Sequence, residues 1–214
     1  MTSADTTSER RRSAIIAVAA LGLIVAAVVL LLTQPWSSDS PHPNASSASI
    51  SLPPAFGRFE QAGDAESRAI LANVKKSYTS TNDPVWSSPS TEFGIYADTQ
   101  TSKRSFVVIA ASGHDDGELA KYLSTRNPQT VLAHMGFVGN VIGAKTYPAA
   151  PLDGEIQCGV AVYPGANPSA PSRQLAECKW ASASTVGKVH AIDFSITPAD
   201  LANYTRALRQ AAEH

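Results

Sequence analysis

A run of nineteen residues without a charge, Ala14 to Leu32, is the feature that most constrains where this chain lies and how it folds. As an α-helix it would be about 28 Å long, which matches the hydrocarbon thickness of a bilayer. Inside a bilayer every backbone N–H and C=O group needs an internal partner, so an isolated run of this length has to be helical. The sequence therefore predicts a transmembrane helix within residues 13–34.

The charges on the two sides of this run predict its orientation. Arg10, Arg11 and Arg12 precede it, and no Lys or Arg follows until Arg58. The positive-inside rule then places the N-terminus in the cytoplasm and the C-terminal region outside the cell membrane. Trp36 stands where an interfacial aromatic residue would anchor the helix. A cleaved signal peptide has the same charge pattern, but its apolar core is usually shorter and is followed by small residues. We therefore expect a single-pass signal anchor.

The rest of the chain divides by composition. Residues 1–12 form a short polar tail, and residues 35–54 are rich in Ser and Pro, which is typical of an extended linker. Residues 55–214 have the length of one globular domain. This domain carries fourteen Lys and Arg against fifteen Asp and Glu. Such a balance excludes the basic surface of a nucleic-acid-binding protein, and the membrane is expected to act only as the site of the anchor.

Periodicity and capping residues predict the secondary structure of the domain. Helices are expected to begin after Asp64, Asp115 and Thr197, and Asn127-Pro128 is expected to end the second of them. Residues 131–137 are ambiguous. Strands are predicted at 92–97, 105–111, 138–147, 155–163, 174–181 and 186–194. The predicted fold is thus α+β, with a mostly antiparallel sheet of about six strands packed against about three helices.

The cysteines, Cys158 and Cys178, are the two in the chain and both fall in the outer domain. An even number of cysteines in an oxidising compartment favours a disulfide, with two free thiols or a redox pair as the alternatives. A hairpin centred near Pro168 would place Cys158 opposite Cys178 and Ile156 opposite Trp180. One face of this hairpin would then be apolar, which supports the pairing.

The residues around these cysteines carry a resemblance. Residues 154–158 read GEIQC, and residues 177–181 read ECKWA, followed by TVG at 185–187. Together with the basic tail, the single transmembrane segment and the polar linker, this pattern resembles uncharacterised actinobacterial membrane-anchored proteins with a two-cysteine extracytoplasmic domain. The resemblance implies the membrane topology and the disulfide, and it implies no catalytic residue.

Potential metal ligands are densest at His114-Asp115-Asp116. Adjacent residues rarely converge on one ion, and carboxylates at the start of a helix are stabilised by its dipole. The chain has no His-Glu-x-x-His motif, and two cysteines cannot form a structural zinc site. We therefore expect helix capping at this position, and neither a metal nor a cofactor.

The sequence shows no recognisable set of catalytic residues. No serine lies in a Gly-x-Ser-x-Gly motif, and no phosphate-binding Gly-x-x-x-x-Gly-Lys motif occurs. His134 and His190 could serve as bases, but Asp193 near His190 favours a structural hydrogen bond. Five aromatic residues could line a groove, although core packing is the expected role for most of them: Trp86, Phe93, Tyr96, Tyr163 and Trp180.

These observations favour a membrane-tethered, non-enzymatic domain that binds a protein or an envelope component. An extracytoplasmic hydrolase with scattered catalytic residues and a lipid-binding domain are the alternatives. A concave pocket that brings a histidine together with a carboxylate and a hydroxyl would favour the hydrolase. A flat or apolar surface would favour the binding domain, and a continuous apolar cavity would favour the lipid carrier.

Overall fold

The computed structural model describes residues 48–79, 83, 85–137, 140–164 and 171–214. The chain divides into two compact units, Met1–Pro43 and Asn44–His214, and every described residue belongs to the second. The predicted transmembrane helix, the three arginines and Trp36 lie outside the described residues, so the anchor stays a prediction. None of the helices in the described part of the chain is both long enough and apolar enough to span a bilayer.

The described domain has eight strands and four helices. The strands are β1 (Ala55–Phe56), β2 (Phe59–Gln61), β3 (Glu92–Asp98), β4 (Lys103–Ser112), β5 (Asn140–Tyr147), β6 (Glu155–Tyr163), β7 (Arg173–Ala181) and β8 (Thr185–Ala191). The helices are α1 (Ala65–Thr79), α2 (Gly117–Ser124), α3 (Pro128–Met135) and α4 (Pro198–Ala212). The strands form one sheet in the order β1-β2-β3-β4-β8-β7-β6-β5, in which the neighbouring pairs are antiparallel. The predicted α+β class with a mostly antiparallel sheet is therefore confirmed.

The element counts and two helix boundaries differ from the prediction. Strands β1 and β2 were not predicted, because two and three residues are too few to show an alternating pattern. The second helix is capped by Asp116 rather than Asp115, since the Asp116 carboxylate accepts hydrogen bonds from two backbone N–H groups of α2. Asn127 and Pro128 do not merely end that helix. They begin α3, in which the Asn127 side chain accepts a hydrogen bond from the backbone of Thr130.

The predicted hairpin between β6 and β7 is confirmed in detail. Cys158 lies opposite Cys178, and Ile156 lies opposite Trp180. The two cysteines form a disulfide, and both are fully buried. The pairing arises because the alternating apolar side chains can all face one side of the sheet only in this register.

The sheet separates two hydrophobic clusters. On one side α4 packs over the disulfide and over Phe106, Trp180 and Val189. The other side, which we call the three-helix face, is covered by α1, α2 and α3. Its cluster includes Ile109 and Val186 from the sheet. Consecutive residues of β4 contribute to opposite clusters, as the two-residue period of a strand requires.

The start of the domain lies earlier than the predicted linker boundary at residue 54. Ile50 is buried and forms a β-bridge with Glu213 after the end of α4. The backbone N–H of Leu52 donates a hydrogen bond of 2.6 Å to the Glu92 carboxylate. The last residues of the Ser/Pro-rich segment are therefore part of the folded domain, because Ile50 and Leu52 pack against the core.

Candidate functional site

A concave pocket opens on the three-helix face, between α1 and the middle of the sheet. Its volume is about 320 Å³. The lining residues come from α1, β4, β6 and β8, and they are Asn73, Val74, Ser77, Tyr78, Val107, Tyr163 and His190. The valines and the tyrosine rings give it a mostly apolar wall, and the polar groups lie at a few points. This combination is typical of a small-molecule binding pocket.

Helical spacing and strand pairing bring these side chains together. Val74 and Tyr78 are four residues apart on α1, so they lie on the same side of that helix. Val107 on β4 pairs with His190 on β8, and His190 pairs with Glu177 on β7. These three residues therefore form one row across the sheet, beneath the side of α1 that carries Tyr78.

The row contains a chain of polar contacts that ends in the pocket. The hydroxyl of Tyr78 lies 3.1 Å from Nε2 of His190. On the other side of the imidazole ring, Nδ1 lies 3.6 Å from Oε2 of Glu177. The Glu177 side chain is 1% exposed and that of His190 is 14% exposed, so the carboxylate is buried behind a histidine that still reaches the pocket.

The two imidazole nitrogens of His190 differ in their contacts. Nδ1 is buried and forms no hydrogen bond with any described residue, since the Glu177 carboxylate is 3.6 Å away. Nε2 shares a hydrogen bond with the Tyr78 hydroxyl, in which the donor is set by the tautomer of the ring.

Both tyrosines of the pocket remain neutral at physiological pH. Burial raises the pKa of Tyr78 far above its ordinary value, and the negative charge of Glu177 raises it further. The pKa of Tyr163 is raised to about 12 by the same two causes, in the same order. The pocket therefore presents phenol groups and no phenolate.

Two lysines on neighbouring strands, Lys179 and Lys188, are buried near Glu177. Their positive charges offset the cost of burying the Glu177 carboxylate. Lys179 is 3% exposed and donates a 2.6 Å hydrogen bond to the backbone carbonyl of Leu132. Lys188 is 4% exposed and donates a 2.9 Å hydrogen bond to the carbonyl of Met135. Both acceptors belong to the last turn of α3, where a cation stabilises the exposed carbonyls and the helix dipole.

Burial lowers the pKa of both lysines. That of Lys179 falls to about 8, first through desolvation and then through the nearby charge of Lys188, while Glu177 opposes the change. Desolvation also lowers the pKa of Lys188, and Glu177 and Asp83 oppose it. Neither lysine lines the pocket, and their contacts with α3 give them a structural role.

The histidines named from the sequence have different surroundings from those expected. His190 lies on a strand, as expected, but its side chain faces the pocket and contacts Glu177 and Tyr78. Asp193 instead accepts hydrogen bonds from the backbone N–H and the hydroxyl of Ser195. His134 is about half exposed, and its Nε2 lies 3.9 Å from Asp83 on the surface.

The predicted cluster His114-Asp115-Asp116 does not converge on one point. His114 contacts Asp115 at 2.8 Å on the exposed side, while Asp116 is engaged as the cap of α2. In the part of the chain that the structure describes, no group of three or more His, Cys, Asp or Glu side chains is arranged to hold a metal ion.

Most of the five aromatic candidates are core residues. Trp86, Tyr96 and Trp180 are buried, and Phe93 packs against the cluster of the three-helix face. Tyr163 alone among these five lines the pocket.

Glu177 and Tyr78 were not recognised as site residues from the sequence. Glu177 and Lys179 alternate with Cys178 and Trp180, which is the pattern of a strand with one face in water. No sequence signal shows that this face is covered by helices.

A wider groove of about 760 Å³ lies near the start of β4. Arg104 lies there and pairs with Asp64 at 3.6 Å and with Glu66. Phe194, at the edge of this groove, is 65% exposed. The guanidinium of Arg104 is already paired with carboxylates and is therefore not available to bind an anionic ligand. For this reason we take the apolar pocket at Tyr78 as the better candidate for a binding site.

Comparison of the chain with protein-family models, curated proteins and solved structures finds no match. The resemblance to actinobacterial membrane-anchored proteins therefore stays a prediction.

Proposed function

We propose that this protein is a membrane-tethered extracytoplasmic binding domain whose pocket at Tyr78 and His190 takes a compact, mostly apolar ligand. The pocket itself is the observation that carries the proposal. Its volume of about 320 Å³ is at the lower end of the range for small-molecule sites. Its walls are mostly apolar. A few polar side chains at its edges would orient a ligand, and they are Asn73, Ser77, Tyr78, Tyr163 and His190.

The predicted location is consistent with this role. The disulfide between Cys158 and Cys178 suits an oxidising compartment. The apolar run within residues 13–34 would hold the domain at the membrane surface, where a ligand of the envelope or an apolar solute would be met. The bound group can belong to a free molecule or to an exposed part of an envelope component.

An extracytoplasmic hydrolase is the second candidate, because His190 lies between a hydroxyl and a carboxylate. The hydroxyl in contact with Nε2 is that of Tyr78, and its raised pKa makes it a weak nucleophile. The 3.6 Å separation between Nδ1 and Glu177 also exceeds a normal hydrogen bond. These two features favour binding over catalysis.

A lipid carrier would need an apolar cavity that continues between the sheet and the helices. The interior next to the pocket instead holds the charged groups of Glu177, Lys179 and Lys188. This arrangement favours a compact ligand over a long acyl chain.

The binding proposal is tested by blocking the pocket. The unit Asn44–His214 is titrated with fluorinated aromatic fragments, and binding is followed by ¹⁹F NMR line broadening. Val74→Trp should abolish binding, because the indole fills the pocket. Ala72→Trp is the control, since Ala72 is exposed on the same helix and does not line the pocket. The proposal fails if no fragment binds, or if Val74→Trp binds the fragments as well as the control does.

The hydrolase candidate is tested with the same protein. If the site were catalytic, hydrolysis of p-nitrophenyl acetate would exceed the rate in buffer, and His190→Gln would remove the excess. We expect equal rates for the unaltered protein, His190→Gln and Ser77→Ala.

A further inference from the structure

We propose that the ligand of this pocket is a small molecule with a compact apolar body and one carboxylate, and that Arg173 binds this carboxylate at the edge of the pocket. The inference rests on the proposed binding function and names the chemical class of its ligand. It follows from the strand pairing that places Arg173 beside the pocket and from the signs of the charges on the surrounding elements.

Strand pairing places Arg173 next to a wall of the pocket. Arg173 is the first residue of β7 and lies directly opposite Tyr163, the last residue of β6. Side chains of directly opposite residues in an antiparallel pair lie on the same face of the sheet, with their Cβ atoms about 5 Å apart. Because the Tyr163 side chain lines the pocket, the Arg173 side chain begins at the pocket edge.

The guanidinium of Arg173 is exposed and has no partner among the described residues. The other arginines that the structure describes all donate hydrogen bonds to described residues, and they are Arg58, Arg68, Arg104, Arg126, Arg206 and Arg209. A guanidinium is a planar fork of N–H donors that matches the two oxygens of a carboxylate. Arg173 can therefore bind a carboxylate without giving up a contact within the described domain.

The acidic residues of the surrounding elements do not offset this cation. The helix α1 and the strands β4, β6, β7 and β8 carry three of them, Glu66, Glu155 and Glu177. Glu66 pairs with Arg104 at the start of α1, and Glu155 lies at the opposite end of β6 from the pocket. Glu177 is 1% exposed and lies near two buried lysines. No exposed carboxylate of these elements therefore competes for Arg173.

The exposed charges on the part of α1 that lines the pocket are also positive. Lys75 and Lys76 are exposed there, and no acidic residue follows Glu66 on this helix. A positive edge around an apolar wall suits a ligand with an apolar body and a negative group. The volume of about 320 Å³ restricts the body to a compact group, such as one aromatic ring with a short acidic chain.

The test compares 4-fluorophenylacetate with 4-fluorophenylacetamide, which have a similar shape and differ in charge. The unit Asn44–His214 is suitable because it contains both hydrophobic clusters and the disulfide. Dissociation constants are measured by ¹⁹F NMR at pH 7.5, in about 20 mM and about 1 M NaCl. One exposed ion pair predicts that the acid binds about threefold more tightly than the amide at low salt. At high salt this ratio should fall toward one, because salt screens the exposed guanidinium.

Variants assign the preference to Arg173. Arg173→Gln should lose most of the preference for the acid and leave the affinity for the amide unchanged. Arg173→Glu should make the amide the tighter ligand. Lys145→Gln is the matched control, because it removes one exposed positive charge from β5 opposite Cys158, on the face of the sheet that α4 covers. This control should keep the preference for the acid.

The outcomes separate this inference from the proposed function. Equal binding of the acid and the amide by the unaltered protein at low salt, with both blocked by Val74→Trp, would overturn the inference and leave the binding pocket in place. A preference for the acid that is unchanged in Arg173→Glu, or that Lys145→Gln loses to the same extent, would overturn the inference as well. Binding of neutral fragments alone would have the same meaning. Absence of binding by every fragment would overturn the inference and the binding function together.

Discussion

Lys179 gives the sharpest prediction about stability, because its charge is buried and its pKa is lowered to about 8 from the ordinary value of 10.5. Between these two values the unfolded chain holds a proton on Lys179 that the folded domain has largely lost. Unfolding then takes up a proton, so the free energy of unfolding rises as the pH increases. Replacing Lys179 by Met, which has a similar volume and no charge, should remove this contribution.

The size of the effect follows from the two pKa values. For one group titrating at these values, the free energy of unfolding rises by at most about 1.5 kcal/mol between pH 8 and pH 9.5. Tyr96 and Tyr163, whose pKa values are raised to about 12, act in the opposite direction only above about pH 10. The pKa of Lys188 is also lowered, so Lys188 makes the free energy of unfolding rise with pH as well. This second contribution remains in Lys179→Met.

Urea unfolding of the unit Asn44–His214 at pH 8 and pH 9.5, followed by circular dichroism, measures this rise. Lys179→Met should lose about 1.5 kcal/mol of it. Lys145→Met, which removes an exposed lysine from the edge strand β5, should keep the full rise. If Lys179→Met shows the same rise as the unaltered domain, the ammonium is not desolvated in the folded state and the reasoning is refuted.

Three further predictions concern the fold. Asp116→Ala should lower the free energy of unfolding by about 1 kcal/mol, because α2 loses its N-terminal cap. Asp115→Ala is the control and should change the free energy of unfolding little. Equal losses in the two variants would contradict the assignment of Asp116 as the cap. Gly187→Ala should strongly lower the melting temperature, because the added Cβ would lie 2.0 Å from the Trp180 ring. An unchanged melting temperature would contradict this packing of Trp180 against Gly187. Reduction of the disulfide should cost about 3 kcal/mol in urea unfolding, since it opens a loop of about 20 residues, and unfolding that is the same with and without reductant would contradict this estimate.

The elements that were predicted correctly from the sequence are those whose deciding interactions join residues close to each other in the chain. Thr197, Pro198 and Asp200 predict the start of α4, and the structure has a full capping box there. The β6–β7 hairpin and its disulfide follow from the alternation of apolar residues around one turn. In both cases the deciding interactions join residues that are close in sequence.

The incorrect fold predictions concern elements that are decided by contacts between residues distant in sequence. Asn127-Pro128 is compatible with the end of one helix and with the start of another, and the contacts of Val131 and Leu132 with the core decide in favour of α3. Strand β2 is three residues long and is fixed by pairing with β3, more than thirty residues later in the chain. Local sequence does not encode such a contact.

The sequence by itself determined a helix-length apolar run with basic residues before it, an α+β domain and the pairing of Cys158 with Cys178. The tertiary structure alone decided that His190 meets Glu177 rather than Asp193, and that Tyr78 completes the pocket. Alternation along β7 places Glu177 on the face opposite the disulfide, but it does not tell whether water or a helix covers that face. The helices that cover it come from segments distant in sequence, and their packing is set by long-range burial of apolar surface.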